Sequence, residues 1–358
     1  MKKIIEKQPY IIAETAYNHE GDFDYLLQMI DEIAELPFNA IKYHLLLDPS
    51  SYMVTDHPLF QEIEKWIFTK NQRRELFKTS NNHELDIIAL CDDIESLEFI
   101  NSDYPDIFAI ELHATSLNDY HLLMEASQFP GTVILGVGGS TLDEISYAID
   151  LLRQEGKTDI LLMYGFQSYP TNYAEINLSK MIKIKELFGL PMGYADHTAY
   201  DDPNNEIISC MAAMMGINIL EKHYTPDYGV ERIDYHAAVG KEQMRRIKEL
   251  MDLSLTVHGD GSLGMSQAEK NYGNTGPMKK AIVASHDIHP GDRLTIDNLT
   301  FRRTEKESPM KQLEFGKILG LKANREIRKG EVISFGDLEY NFHAVSIEDL
   351  IKIKRDSV

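Results

Sequence analysis

Cysteine is scarce in this 358-residue chain, which contains only Cys91 and Cys210. Two cysteines are too few for the disulfide framework of a small secreted domain, and they suit a reducing compartment. Apolar runs are also short, since none reaches the ~20 residues that a bilayer-spanning helix needs. The amino-terminal stretch MKKIIEKQPYIIAE starts with a pair of lysines but lacks the apolar region of a signal peptide. We therefore expect a soluble, cytoplasmic protein.

Basic residues are in the minority. The chain has 36 lysines and arginines against 57 aspartates and glutamates, which gives a formal net charge of −21. Nucleic acid and anionic membrane surfaces attract proteins with a basic footprint, so this composition argues against both as the main partner. A small anionic substrate is still compatible with it, because the field inside a cleft depends on the local residues.

The sequence does contain a regular alternation of short apolar runs and longer amphipathic stretches, from residue 10 to about residue 258. The apolar runs predict eight strands: YIIAETA, NAIKYHLL, DIIALC, IFAIEL, TVILGV, DILLMYG, PMGYA and INILEKHY. In stretches such as FDYLLQMIDEIAEL, TLDEISYAIDLLRQEG and NEIISCMAAMMG, apolar residues recur at three- and four-residue spacing, which predicts helices. Strands apolar on both faces and separated by helices predict a parallel (β/α)8 barrel, the TIM barrel of the α/β class. A doubly wound open sheet is the alternative, but no glycine-rich nucleotide fingerprint follows the first strand.

The pattern changes after residue 260. The segment GDGSLGMSQAEKNYGNTGPMKK is rich in glycine and polar residues and predicts a linker. Short strands with Pro-Gly or Lys-Gly turns follow, and HDIHPGD and REIRKGE are two versions of one turn, which indicates a weak internal repeat. The predicted organisation is a barrel over residues 1–260, a linker over 261–278, a small β-rich module over 279–342 and a tail over 343–358.

Polar and ionisable residues follow the carboxyl ends of most predicted strands. In a (β/α)8 barrel these ends converge on one face, where catalytic groups stand. Structural strand ends do not need so many ionisable groups, so the ring predicts the mouth of an enzyme. Its members are Glu14, Asn18, His19, Lys42, His44, Cys91, Asp92, Asp93, Glu111, His113, Gln167, Tyr169, Asp196, His197, Glu221, Lys222 and His223.

Several segments together resemble the sialic acid synthase family: IIAETAYNHEGDF, IKYH, SYPTNYAEINL, GYADHT, GINILEKHYT and the carboxyl-terminal module. The resemblance runs in one order over about residues 8–340. It implies a (β/α)8 barrel followed by an antifreeze-like (SAF) domain, in a domain-swapped homodimer. It also implies condensation of phosphoenolpyruvate with an N-acetylmannosamine-like aldose, which gives a nonulosonic 2-keto-3-deoxy sugar acid, for a surface polysaccharide, and phosphate.

The resemblance further implies a divalent metal, in the first place Mn²⁺, with Mg²⁺ or Co²⁺ as other choices. Its two histidine ligands fall on His223 of EKHY and on His236 of IDYHAAV, where Asp234 is the other candidate. Neutral imidazoles together with water and substrate oxygens suit such an ion. The metal would polarise the aldehyde of an open-chain sugar, so that the enol carbon can attack it.

The same resemblance gives roles to residues around the mouth. Glu14 acts near the attacking water, with Asp196 of the DHT motif, beside His197, as a second candidate for base. Lys42 contacts the carboxylate or phosphate of the enolpyruvate. The remaining substrate contacts fall on Asn18, His19, His44, Ser140, Gln167, Tyr169, Lys222 and on Arg303, which reaches the sugar's acetamido group across the dimer.

Three positions depart from the family's phosphate-side pattern. Glu111 stands where the family has a lysine, Ala114 where it has a serine, and Gly136 where it has a hydroxyl residue. A glutamate in place of a lysine inverts a charge beside a trianionic ligand, and in a low-dielectric mouth the effect on binding is large. Either Lys42, Lys222 and the backbone amides of the turn after Gly136 hold the phosphate, or phosphoenolpyruvate is not the substrate.

Two alternatives therefore stay open. The first is a metal-dependent lyase, aldolase or other sugar-modifying enzyme on the same barrel, in which Glu111 acts as acid or base. The second is a sugar-binding homologue without turnover. The presence of Glu14, Lys42, Asp196 and His223 argues against the second alternative, because a bare scaffold does not need them.

Overall fold

The computed structural model describes residues 8–166, 168 and 171–340. The chain divides into two compact units, Met1–Gly261 and Ser262–Val358. Two predicted substrate contacts, Gln167 and Tyr169, and the predicted tail lie outside the described residues. Within the described part of the chain, no helix is both long enough and apolar enough to cross a membrane.

The first unit is a closed barrel of eight parallel strands in chain order, with the last strand paired to the first. Each predicted apolar run contains one strand, so the (β/α)8 fold is confirmed and the open-sheet alternative is wrong. The strands are β1 Tyr10–Glu14, β2 Ala40–Leu45, β3 Asp86–Cys91, β4 Ala109–Leu112, β5 Thr132–Gly136, β6 Ile160–Tyr164, β7 Met192–Asp196 and β8 Ile219–His223.

Helices follow the strands, and several begin at a side-chain cap. Asp22 accepts a backbone N–H of the first helix, and Thr69 and Thr141 each form a capping box with a glutamine or glutamate three residues on. Such caps satisfy N–H groups that have no partner inside the helix. The helices are α1 Phe23–Ala34, α2 Pro49–Tyr52, α3 Phe60–Trp66, α4 Lys70–Asn82, α5 Ile94–Asp103, α6 Tyr120–Ser127, α7 Leu142–Gln154, α8 Tyr173–Ile176, α9 Leu178–Phe188, α10 Asn205–Met214, α11 Lys241–His258, α12 Gln267–Tyr272 and α13 Phe315–Ile318.

The strands are apolar on both faces because both faces are buried. Successive side chains of a strand point to opposite sides of the sheet. Outward residues such as Ile41 and Val133 pack in one core with the helices. Inward residues fill the barrel in a second core, which contains Tyr10, Ile12, Ala40, Ile88, Ala109, Ile134, Leu161, Met163, Ala195 and Ile219.

The second unit has two small antiparallel pairs, β9 Ala281–Ala284 with β10 Leu299–Arg302 and β11 Lys322–Ala323 with β12 Leu338–Glu339. The two repeated turns meet, because Ile288 and Ile327 exchange backbone hydrogen bonds of 2.8 and 2.9 Å. The amides of Gly291 and Gly330 donate equivalent 2.8 Å bonds to the carbonyls of Ala323 and Ala284. The two turns of the predicted repeat therefore form equivalent backbone hydrogen bonds. The segment predicted as a linker contains the short helix α12.

Two glycines let the loops after β5 and β6 touch. A Cβ on Gly138 would overlap the carbonyl oxygen of Gly165, and a Cβ on Gly165 would overlap that of Ala195. Gly165 also has φ 155°, which disfavours other residues. These two close approaches bring the backbone of neighbouring loops together at the mouth of the barrel.

We expect Gly138→Ala to lower the free energy of unfolding by about 1–3 kcal/mol, the usual cost of overpacking. Thermal unfolding of the purified variant measures this. Gly316→Ala is the control, because no described heavy atom lies within 4 Å of the added Cβ there. Equal stability of Gly138→Ala and wild type would contradict the close approach.

Candidate active site

Four charged side chains form one layer inside the barrel, above the apolar core. Glu14, Lys42, Glu111 and Glu221 stand on the inward face of β1, β2, β4 and β8. Lys42 Nζ lies 2.6 Å from Glu14 Oε2, 2.7 Å from Glu221 Oε2 and 3.2 Å from Glu111 Oε2. Each side chain is 6% exposed or less. We call these four residues the Lys42 cluster.

Strand register fixes part of the cluster. Glu14 pairs with Lys42 on one side and with His223 on the other. Glu14 Oε1 also accepts the backbone N–H of Ala16 at 2.7 Å. The carboxylate is thus held from two sides before any ligand arrives.

The cluster contains one ammonium and three carboxyl groups, so negative charge is in excess. Burial alone would lower the pKa of Lys42, but Glu111 and Glu221 hold it above its ordinary value. Burial raises the pKa of Glu111 to about 7, with Lys42 opposing the rise and Glu221 adding to it. Glu111 therefore holds a proton up to a higher pH than an exposed glutamate does.

Four histidines line the same cavity: His44, His113, His197 and His223. The ring centroids of His197 and His223 are 5.3 Å apart, and those of His44 and His113 are 6.2 Å apart. Burial lowers the pKa of His113 and of His197 to about 4, and it holds that of His223 well below its usual range. These three imidazoles are therefore neutral at pH 7 and able to accept a metal ion or a hydrogen bond.

The Lys42 cluster and the histidines surround a cavity of about 450 Å³. A second cavity of about 630 Å³ adjoins it and shares Ala114, Thr115, Ser140 and Glu144 with it. Among the described residues that line either cavity, Lys42 is the only lysine or arginine. A volume of this size suits a small polar ligand.

The turn after β5 offers less to a phosphate than the sequence predicts. Gly136, Gly138, Gly139 and Ser140 do line the cavity. However, the amide of Val137 donates to the Met163 carbonyl at 2.9 Å, and that of Ser140 donates to the Val137 carbonyl at 3.3 Å. Two of the backbone amides that were predicted to bind the phosphate are thus already hydrogen-bonded to carbonyl groups of the barrel unit.

Asp196 and Lys222 lie on the outer face of β7 and β8 and not in the mouth. Lys222 Nζ is 2.5 Å from Asp196 Oδ2, and both side chains have no exposed surface. Ser209 of α10 donates to the same carboxylate at 2.6 Å, and the Thr198 hydroxyl does so at 2.7 Å. Burial raises the pKa of Asp196, but Lys222 and the hydroxyls outweigh it and lower the pKa to about 2. The predicted roles of Asp196 as base and of Lys222 as phosphate contact do not fit this placement.

Asn18 and His19 hold the loop after β1. Asn18 Nδ2 donates to the Ile233 carbonyl at 2.9 Å, and its Oδ1 accepts the Tyr25 hydroxyl at 3.1 Å. The His19 ring packs on Phe68 with centroids 4.7 Å apart, and burial lowers its pKa to about 3. Asn18 thus ties the first loop to the loop after β8, and His19 packs that loop on Phe68. Neither residue is among those that line the two cavities, and their predicted contact with substrate stays a prediction.

The two predicted metal ligands lie in different surroundings. His223 is buried at the end of β8, whereas His236 is exposed in the short 3₁₀ turn Tyr235–Ala237. The ring centroids of His236 and Tyr235 are 4.0 Å apart. Asp234 precedes that turn with φ 64°. The described residues contain no group of three or more His, Cys, Asp or Glu side chains arranged to hold a metal ion. The imidazole in contact with His223 is that of His197.

Arg303 belongs to the second unit. Its side chain is exposed, and Nε donates to the Pro277 carbonyl at 2.7 Å. Its predicted contact with sugar across a dimer stays a prediction.

Glu221 and His113 both line the cavity, as members of the ring of strand-end residues predicted from the sequence, which assigned neither of them an individual role. A signal for Glu221 exists in the sequence. Side chains of a strand alternate, so Glu221 shares a face with His223 and Lys222 does not.

Comparison with known proteins identifies the family. The NeuB family model matches residues 48–262, and the SAF domain model matches residues 279–339. The chain belongs to the NeuB family.

Several of its relatives are named as sugar acid synthases. This NeuB-family chain is 25% identical to an N,N'-diacetyllegionaminic acid synthase of Campylobacter jejuni, over 91% of this chain and 99% of that enzyme. It is 28% identical to an uncharacterized protein of Methanocaldococcus jannaschii, over 92% of this chain and 94% of that protein. A crystal structure of an N-acetylneuraminic acid synthetase from Leptospira borgpetersenii has a TM-score of 0.68 at 25% identity and covers 74% of this chain and 90% of that one.

We expect Lys222→Met to lower the free energy of unfolding by about 3–5 kcal/mol, because it leaves Asp196 buried without its cation. Chemical denaturation at pH 7 measures this. The stabilisation from Asp196 is present above its ordinary pKa of 3.8 and lost as the pH falls towards about 2, so the difference from wild type should shrink in that window.

Lys65→Met is the matched control for this prediction. Lys65 forms a 2.7 Å pair with Glu62 on the surface, where both side chains are more than half exposed. Its loss should cost no more than about 1 kcal/mol. If Lys222→Met costs as little as Lys65→Met, the outward ion pair does not stabilise the barrel.

Proposed function

We propose that this NeuB-family chain condenses phosphoenolpyruvate with an open-chain N-acetylmannosamine-like aldose to give a 2-keto-3-deoxy sugar acid and phosphate. The observation that supports this most directly is the contact of Glu14 with Lys42 in a mouth that also holds His197 and His223. The near full-length match to a legionaminic acid synthase supports the same reaction class. The proposal includes a cytoplasmic, domain-swapped homodimer.

In this proposal Lys42 is the cation that binds phosphoenolpyruvate, the donor of the three-carbon unit. Its ammonium would bind the carboxylate of the enolpyruvate, with Thr115 and Ser140 as the nearby hydroxyl groups of the cavity lining. Excess carboxylate around Lys42 weakens its attraction for a trianion, so we expect a high KM for this donor. The weaker attraction arises from the contacts of Lys42 with Glu111 and Glu221.

Glu14 would orient the water that adds to C2. Its two oxygens are engaged by Lys42 and by the Ala16 amide. A carboxylate oxygen has room for a second hydrogen bond, so each can still accept one from water. The fixed position of the carboxylate is what a water-orienting group requires.

A divalent ion, in the first place Mn²⁺, fits His197 and His223 better than the predicted pair of His223 and His236. Both rings are buried and neutral, with centroids 5.3 Å apart: His223 ends β8, and His197 directly follows the adjacent β7. Borderline first-row ions accept imidazole nitrogen together with oxygen ligands. When bound, such an ion supplies polarisation of the aldehyde oxygen.

The choice of ligands can be tested without turnover. We expect His197→Ala and His223→Ala each to weaken Mn²⁺ binding by tenfold or more, an order-of-magnitude value for a lost ligand. Electron paramagnetic resonance of free Mn²⁺ during titration measures the affinity. His236→Ala should bind as wild type does. Weakened binding in His223→Ala and His236→Ala, with wild-type binding in His197→Ala, would restore the pair predicted from sequence.

The reaction itself is tested by phosphate release from phosphoenolpyruvate with a panel of N-acylated aldoses, alongside detection of the 2-keto acid product. We expect turnover in wild type and its loss in Lys42→Met, because the donor carboxylate then has no cation. Lys70→Met, which removes an exposed pair with Glu95, should keep wild-type turnover. No phosphate release from phosphoenolpyruvate with any aldose of the panel, by protein with Mn²⁺ bound, would contradict the proposed function.

A further inference from the structure

Glu111 is a group that the proposed condensation does not use. Phosphoenolpyruvate is already an enol derivative, so its C3 can attack an aldehyde without losing a proton. The cavity nevertheless has a buried carboxyl group in its wall, 3.2 Å from Lys42. A carboxyl group placed beside a cation and open to a cavity can carry a proton to and from a ligand.

The surroundings of Glu111 determine how it holds that proton. Lys42 and His44 face it from β2 and Glu221 faces it from β8, while Glu14 shares Lys42 with it from β1. One ammonium cannot balance three carboxylates in a buried site, so the cluster favours retaining a proton. Among the three carboxylates, Glu111 is the one farthest from Lys42 Nζ and therefore the least stabilised in its ionised form.

We infer that this mouth also enolises an unphosphorylated 2-oxo acid of the pyruvate class, with Glu111 as the catalytic group that takes the C3 proton. The C3–H bond breaks, its electron pair forms the C2–C3 double bond, and the carbonyl oxygen becomes an enolate. The proton moves to a Glu111 carboxylate oxygen. In the following addition, C3 bonds to the aldehyde carbon and the new alkoxide takes the proton back from Glu111, so no proton is gained or lost overall.

The charge of the site favours this class of ligand. Lys42 is the only lysine or arginine among the described residues that line the two cavities, and it already contacts three carboxyl groups. A 2-oxo acid brings one negative charge, whereas phosphoenolpyruvate brings up to three. The monoanion therefore meets less repulsion from Glu14 and Glu221.

The pKa of Glu111 near 7 matches the role, since a general base works best when its pKa lies close to the operating pH. We therefore expect the rate of enolisation to rise with pH through about 7, as Glu111 ionises.

Hydrogen exchange tests the step without an aldose. The full chain, with Mn²⁺ added, is incubated with pyruvate in D2O, and loss of the methyl signal is followed by proton NMR. With wild type, the methyl protons of pyruvate should exchange much faster than they do in buffer alone. Glu111→Gln should reduce the enzymatic rate by about 10²-fold or more, the usual contribution of a general base. Glu95→Gln, a change in an exposed glutamate of α5, should leave the rate unchanged.

Folding of Glu111→Gln is checked by thermal unfolding. The substitution removes one of three carboxyl groups around Lys42, so we expect no loss of stability. Infrared difference spectra of wild type against this variant should show a protonated carboxyl band that disappears as the pH rises through about 7. Absence of that band would overturn the assignment of the proton to Glu111.

The outcomes separate this inference from the proposed function. Methyl exchange that is lost in Glu111→Gln supports the inference, whether or not phosphoenolpyruvate is turned over. Phosphate release with no methyl exchange leaves the proposed function intact and overturns the inference. Equal exchange in wild type and Glu111→Gln also overturns it.

Discussion

The buried ion cluster around Lys42 is the constraint on which the rest of the mouth depends. An unpaired charge inside a barrel is very costly, so the lysine requires carboxylates, and the carboxylates require the lysine. The register of β1, β2 and β8 brings Glu14, Lys42 and Glu221 together before a ligand binds. Glu111 is the additional member. It makes the site rich in negative charge, which weakens the attraction of Lys42 for an anionic ligand.

The fold was predictable because burial on two faces leaves a simple pattern. Each of the eight apolar runs became a strand, and the helical stretches became α1, α7 and α10 between them. The site was predictable only in part. Strand ends identify Glu14, Lys42, Glu111, His197 and His223, which all line the cavity. The same rule also selected Asp196 and Lys222, because it ignores the side to which a residue points. Alternation from His223 would have kept Glu221 and rejected Lys222.

Contacts between distant loops could not be predicted. Asn18 binds the Ile233 carbonyl and the Tyr25 hydroxyl, and only the folded chain brings these groups together. The motif around Asn18 and His19 is polar because it anchors loops, although polar residues at a strand end are equally typical of substrate contacts. His236 lies close to a strand in sequence but is exposed on a turn. A histidine's position in the chain does not specify whether it faces the mouth.

The two sides of the mouth differ in how far they depart from the sialic acid synthase pattern. The side formed by β7 and β8 has a pair of buried, neutral imidazoles, those of His197 and His223, which the proposed aldehyde-activating ion would bind. On the side formed by β4 and β5, Glu111, Ala114 and Gly136 stand where the family resemblance implies a lysine and two hydroxyl residues. Ala114 borders both cavities. A carboxyl group at position 111 differs from a lysine in a further way. A lysine attracts an anion, whereas a carboxyl group can accept and return a proton. The two proposed reactions therefore share one aldehyde side and differ in what the mouth does to the donor.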